Sequence, residues 1–210
     1  MKQNWKLIGM TLVLAGISGC ASMSGDECAS GDWMTIGYED GARGYTTDRI
    51  GQHRKACAKH GIAPDFAAYR SGRKQGLVEY CQPGRGFDIG SNGGSYNGVC
   101  SANLEADFLD AYNAGYRLYS LQSDVNRASS SINSRERELE RIKADMRSKE
   151  AALISGETET RDRIVLLQEL KDLSERTGQI ESEIKDLYEQ RARAQIELES
   201  YQVVVVDLGY

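Results

Sequence analysis

One periodicity governs the second half of the chain. From Leu118, spacings of three and four residues alternate through Leu121, Val125, Ala128, Ile132, Arg135, Leu139, Ile142, Met146, Lys149 and Leu153. A second run continues the pattern through Leu166, Leu170, Leu173, Thr177, Ile180, Ile184, Leu187, Arg191, Ala194, Leu198 and Tyr201. A helix with so narrow an apolar stripe cannot bury it alone and needs a second helix along its length. Each run spans 36 residues (118 to 153 and 166 to 201), and Ser155-Gly156 with the polar stretch to Asp162 supplies a turn between them. Folding at about residue 159 sets Leu118 opposite Tyr201, Leu121 opposite Leu198, Ile132 opposite Leu187 and Leu153 opposite Leu166. The expectation is an antiparallel coiled-coil hairpin over 118–201, turning at about 154–165, with arms of ~54 Å at 1.5 Å per residue. Arg135, Lys149, Thr177 and Arg191 interrupt the seam. The same seam closes within one chain or between two copies, so a homo-oligomer stays open. Beyond it, residues 202–210 contain Val203 to Val206, a β-branched run expected to form a short β-like tail docked beside the head formed by the first half of the chain; the alternative is an exposed segment that captures a partner by strand addition.

The first half is built differently. Sixteen of the 22 glycines lie between Gly25 and Gly115, and only three follow residue 117. Residues 32–117 are therefore expected to form a small Gly- and Tyr-rich helical head, giving a mainly α protein. Asp32 opens a helix over Trp33 to Gly44, a second runs from Thr46 to His60 ahead of Gly61, and a third runs from Pro64 to Tyr80. Gln82 to Ser101 carries six glycines and Asn92-Gly93, and is expected to be a bridged loop or small hairpin. A further helix begins near Ser101 or Asn103 and runs on into the periodic region. Glycine inside a helix costs about 1 kcal/mol relative to alanine, so close backbone packing must compensate. Tyr38-x-x-Gly41, Tyr69-x-x-Gly72 and Tyr112-x-x-Gly115 suggest rings laid across bare backbone. Alternatively, Trp33, Tyr38, Tyr69, Tyr96 and Arg85 form a ligand-binding face for a glycan or small molecule.

The first nineteen residues pair Lys2 and Lys6 with an apolar run from Leu7 to Ile17, the pattern of a secretory signal. They end in Ile17-Ser18-Gly19-Cys20, which resembles the lipobox of bacterial lipoproteins. That resemblance implies diacylglycerol on the Cys20 thiol. Ala21, rather than Asp, after it implies the outer membrane, with residues 20–31 as the anchor and linker. Without the signal the chain has 24 basic and 31 acidic residues, so no nucleic-acid partner is expected.

Cys28, Cys57, Cys81 and Cys100 are then an even set in an oxidising compartment, which implies two disulfides. Four cysteines allow three connectivities. Cys28–Cys57 with Cys81–Cys100 is favoured because each bridge closes a loop of moderate length. His53, Cys57 and His60 fall at i, i+4 and i+7 on one helical face, but no fourth ligand is evident, so neither metal nor cofactor is expected. No Gly-x-Ser-x-Gly or His-Glu-x-x-His occurs, and Glu39-Asp40 and Asp107 with Asp110 read as solvated acids, so no catalysis is expected.

Asp32-Trp33, Ile36-Gly37-Tyr38-x-Asp40-Gly41, Cys57-x-x-His60-Gly61-Ile62-x-Pro64-Asp65, Tyr69-x-x-Gly72-Arg73-x-x-Gly76-Leu77-x-x-Tyr80-Cys81 and Tyr96-Asn97-Gly98-Val99-Cys100 resemble the proteobacterial lipoproteins grouped as domain-of-unknown-function family 2799. The likeness covers about residues 26–119. It implies an envelope lipoprotein domain and brings no activity or catalytic position. The expectation is a non-enzymatic outer-membrane lipoprotein facing the periplasm. It would be held by its lipid anchor and act as a structural or adaptor protein on an envelope partner through the hairpin. The alternative is a binding module for cell-wall glycan or a small ligand.

Overall fold

Helix-starting chemistry is explicit along the head. The Ser24 hydroxyl accepts from the Glu27 amide while the Glu27 carboxylate accepts from the Ser24 amide, starting α1 (Gly25–Ser30). Asp32 caps α2 (Trp33–Ala42) through the Met34 amide, and Asp65 caps α4 (Phe66–Tyr80) through the Ala67 and Ala68 amides. α3 (Asp48–Ala58) precedes α4, and α5 (Pro83–Ser91), α6 (Ala102–Ile154) and α7 (Thr160–Asp207) follow it. The computed structural model describes residues 23–210; the expected signal segment and Cys20 lie outside the described residues. Among the described residues there is no strand, and the protein is mainly helical with two disulfides, Cys28–Cys57 and Cys81–Cys100.

The glycines are where helices touch. α2 and α4 run parallel and so close that a Cβ on Gly72 would stand 1.8 Å from the Met34 carbonyl oxygen and one on Gly76 2.0 Å from that of Tyr38. From the other side, a Cβ on Gly37 would meet the Tyr69 carbonyl and one on Gly41 that of Arg73. Tyr38, Tyr69 and Tyr112 thus offer their backbones, not their rings, to the facing glycines. The rings that cover glycine belong to Tyr80, over Gly44, and Tyr119, over Gly93. Both glycines sit in the left-handed region, at φ +73° and +70°.

These contacts occur twice. Gly86 faces the Phe108 carbonyl as Gly37 faces that of Tyr69; Gly90 faces Tyr112 as Gly41 faces Arg73; Gly115 faces Phe87 as Gly76 faces Tyr38. The first helix of the pair recurs after 49 residues (37 to 86, 41 to 90, 44 to 93) and the second after 39 (69 to 108, 76 to 115, 80 to 119). One disulfide lies in the core of each pair: Cys28–Cys57 joins α1 to α3, and Cys81–Cys100 joins the end of α4 to the segment before α6. The head is therefore two copies of one parallel helix-pair unit, and α3 is an insertion in the first copy. Tyr80 joins them, lying over Gly44 and stacking on Phe108 with ring centroids 5.5 Å apart.

α5 replaces the loop or hairpin expected over Gln82 to Ser101. Pro83 sits at its first turn, and Gly86 and Gly90 let it reach the α6 backbone, so packing outweighs the poor helix propensity of its glycines. Residues 92–101 alone remain irregular.

α6 and α7 are antiparallel neighbours. Lys149 pairs with Glu169 at 2.7 Å, Arg176 with Glu138 at 2.7 Å, and the Tyr201 hydroxyl donates to the Ala114 carbonyl at 3.1 Å. Every residue of both periodic runs is buried or half-buried. The turn is shorter than expected, 155–159, and is closed by Arg163, which donates to the Ser155 and Thr158 carbonyls. The expected β-like tail is corrected: α7 stays helical through Val203–Val206 to Asp207. Val205 extends the Leu198 and Tyr201 stripe into the cluster of Leu121 and Val125, and that burial keeps the β-branched run in helix. The chain end does reach the head, where the Tyr210 ring stacks on Phe87 at 4.6 Å.

Candidate functional site

The five residues proposed as a binding face do not share one. Trp33 and Tyr69 are 7% and 1% exposed in the core of the first unit, packed around the Cys28–Cys57 bridge. Tyr96 belongs to the second unit, where its ring lies against Phe108, its hydroxyl donates to Glu105 at 2.8 Å and it accepts from the Cys100 amide. Tyr38 is half-buried beside Glu79, which raises its phenol pKa; Arg85 is exposed on α5. The aromatic platform is therefore corrected. Trp33 and Tyr69 are taken up in the core of the first unit and Tyr96 in that of the second, so the five present no common surface to a sugar.

The structure gathers a polar cluster in its place. Asp40, 5% exposed on α2, accepts at Oδ2 from the Tyr69 hydroxyl of α4 at 2.8 Å and lies 2.8 Å from His53 Nε2 of α3. Arg49 Nε stands 3.6 Å from Oδ1, and its guanidinium lies over the Tyr45 ring. Burial first, then the bond to Asp40, pushes the Tyr69 phenol well above its ordinary pKa, so it stays a proton donor. The His53 ring meets Trp33 and Tyr69 edge-on. In the second unit Ile89 and Phe108 occupy the places of Asp40 and Tyr69, so the helix pair itself does not need these polar groups. Their work is to fasten the inserted α3 to α2 and α4.

Asp40 thus corrects the reading of Glu39-Asp40 as solvated acids. The signal was available in the sequence, because Asp40 lies on the Trp33, Gly37, Gly41 stripe of its helix. His53 and Cys57 do not form a metal face with His60: Cys57 is in its disulfide, and the His60 ring packs by Gly25 at the start of α1. Among the described residues no three His, Cys, Asp or Glu side chains gather as ligands.

The antiparallel pair of α6 and α7 carries the other candidate surface. Its middle is bound by ions: Glu138 accepts from Arg176 and Arg135, which hold its carboxyl below the ordinary range, and Arg135 also reaches Glu183 at 2.9 Å. Its far end is apolar and uncovered. Ile154 is 83% exposed, with Ile164, Leu167 and Val165 at 66%, 55% and 52% around the same turn. Ile154 falls in the turn stretch, 154–162, that the sequence marks as a candidate contact surface, whereas Ile164, Val165 and Leu167 lie beyond it and off the periodic stripe.

Residues 32–117 match the family model described as "Protein of unknown function (DUF2799)". The match runs from the cap of α2 into α6, taking in both glycine-packed units and ending where the two long helices extend beyond the head. No curated protein and no solved structure matches the chain.

Proposed function

With residues 32–117 matching a family of unknown function, we propose that the protein is a non-enzymatic outer-membrane lipoprotein facing the periplasm, anchored by acyl chains on Cys20. It acts as a structural adaptor through the coiled-coil hairpin formed by α6 and α7. The observation that carries the adaptor reading is the uncovered apolar tip of Ile154, Ile164, Val165 and Leu167. Four such side chains at the end away from the head suit a contact surface better than a solvated turn, and the other exposed aliphatic side chains of α7, Ile196, Val203, Val204 and Val206, lie towards its head end. The anchor reading rests on Cys20 ending a signal-like segment, and several acyl chains at about 0.8 kcal/mol per buried CH₂ hold a protein at a bilayer without a spanning helix. Among the described residues no helix is long and apolar enough to cross a membrane.

Photoreactive residues placed at Glu157 on the tip and Arg85 on the head test the adaptor role in intact envelopes. One defined protein adduct from position 157, absent from position 85 and abolished by Ile164→Asp with Leu167→Asp, is expected. No adduct from the tip, or the same adducts from both positions, overturns the reading. Intact mass measurement of protein purified from envelopes tests the acyl chains separately.

A further inference from the structure

The charge of this chain is unevenly distributed. Between Arg43 and Lys74 there are eight Lys and Arg against two acids, whereas the rest of the chain has 18 basic against 29 acidic residues. Four of the eight are engaged: Arg43 with Glu39, Arg49 with Asp40, Arg73 with the Tyr45 carbonyl, and Arg70 with the Phe66 carbonyl of its own helix. Arg54 and Lys55 of α3, Lys59 at its C-cap, and Arg70 and Lys74 of α4 are exposed and have no ion pair among the described residues. Phe66, Arg70 and Lys74 follow one another at four-residue steps along α4. Phe66, 38% exposed, borders the same shallow concavity as Arg54 and Lys55, over Gly51, where no atom lies within 4 Å of a would-be side chain. Asp48 is the one acid on that rim.

We propose that this face of α3 and α4 is a docking surface for an anionic lipid bilayer, with the five exposed cations that lack an ion pair on headgroup phosphates and Phe66 at the interface. Three observations favour a bilayer over another polyanion. An exposed aromatic ring ringed by cations suits a surface that is charged outside and apolar beneath. The element carrying most of the charge, α3, is the insertion that the second unit does without, and the Asp40 cluster holds it in place. The Cys28–Cys57 bridge also ties α3 to α1, eight residues after Cys20, a reach of at most roughly 28 Å of extended chain. The last observation rests on the proposed acylation of Cys20; the first two do not.

The test uses the chain secreted from Ala21 with a cleavable leader, so that no acyl chain is added, in flotation with phosphatidylcholine vesicles with and without about one-third phosphatidylglycerol. Binding is expected only with phosphatidylglycerol, and to disappear at high salt. At about five-fold per cation, Arg54→Glu, Lys55→Glu and Lys59→Glu together are expected to weaken it at least 30-fold. Lys55→Gln with Lys59→Gln, which disturbs the helix less, is expected to give an intermediate loss. Arg137→Glu with Arg141→Glu on the hairpin is expected to leave binding unchanged. Equal binding to both vesicles, no binding to either, binding to soluble polyglutamate in preference to vesicles, or a triple variant that binds as the parent does overturns the proposal. Acylation of Cys20 is read from the mass of the envelope-purified protein, so loss of the anchor reading and loss of this surface are separate results.

Discussion

Gly72 and Gly51 are both helical glycines, and the structure gives them opposite roles. A methyl on Gly72 would fall 1.8 Å from the Met34 carbonyl, an atom fixed in α2, so Gly72→Ala must push two helices apart and is expected to cost roughly 3 kcal/mol. Gly51 has open space around it, so Gly51→Ala is expected to gain about 0.5–1 kcal/mol from helix propensity alone. Denaturant midpoints for the two variants should move in opposite directions; a shift in the same direction would break the packing account. Asp40 poses the complementary question of a buried charge. Asp40→Ile removes the acceptor shared by Tyr69 and His53 and is expected to cost roughly 3 kcal/mol. Adding Tyr69→Phe, which recreates the Ile89 and Phe108 pair of the second unit, should return about 1 kcal/mol by deleting an unsatisfied hydroxyl. A double variant no more stable than Asp40→Ile alone would show that the two units are not equivalent at this position. Asp40 was hard to read from the sequence because a buried carboxylate depends on partners that α3 brings from elsewhere in the chain. Only its place on the apolar stripe was local.

Elements were legible where one face sets a period and obscure where a distant partner decides. The seams of α6 and α7 were readable because their spacing is intrinsic to each helix. α5 was not, because the backbone that accepts its glycines lies some twenty residues further on, and the tail was not, because Val205 is kept helical by Leu121 and Val125 of the other long helix. The duplication was hidden for a related reason: with α3 inserted, the two helices of a unit recur at different distances and no single period aligns them. Within the α6 and α7 pair, ionisation should be visible. Glu138 has its carboxyl lowered by hydrogen bonds first to Arg176 and then to Arg135. A lowered folded value means its contribution is present above the ordinary carboxylate pKa and lost as pH falls through the lowered one. Lys149 is the opposite case, raised chiefly by Glu169, so its contribution is present below the ordinary lysine pKa and lost as pH rises through the raised one. Glu138→Gln is therefore expected to flatten the fall in thermal midpoint between about pH 6 and about pH 3 while leaving the alkaline fall in place. An acid limb of unchanged slope would assign that fall to other carboxylates.

At the scale of the whole molecule, stabilisation is divided between two mechanisms. The head has little apolar volume per residue, and each disulfide contributes about 3 kcal/mol by restricting its loop in the unfolded chain. The α6 and α7 pair has no disulfide beyond the head and relies on its buried apolar contacts and cross-helix ion pairs. Those ties let one chain be small and long at once. α6 alone has 53 residues and so a length of about 80 Å, whereas a compact chain of this size has a radius of gyration of roughly 17 Å. Small-angle scattering from the monomeric fraction of the chain secreted from Ala21 is therefore expected to give a maximum dimension above about 80 Å and a radius of gyration well beyond the compact value. A compact curve would mean that α6 bends back on itself in solution. Elongation found only in a dimeric fraction would mean that the seam closes between two copies, with α7 of one chain lying on α6 of the other. In that arrangement the Tyr210 ring would stack on Phe87 of a second copy, and Phe87→Ala would shift the monomer–dimer balance. In the single-chain hairpin the same substitution is expected to cost about 1 kcal/mol of stability and leave the oligomeric state unchanged.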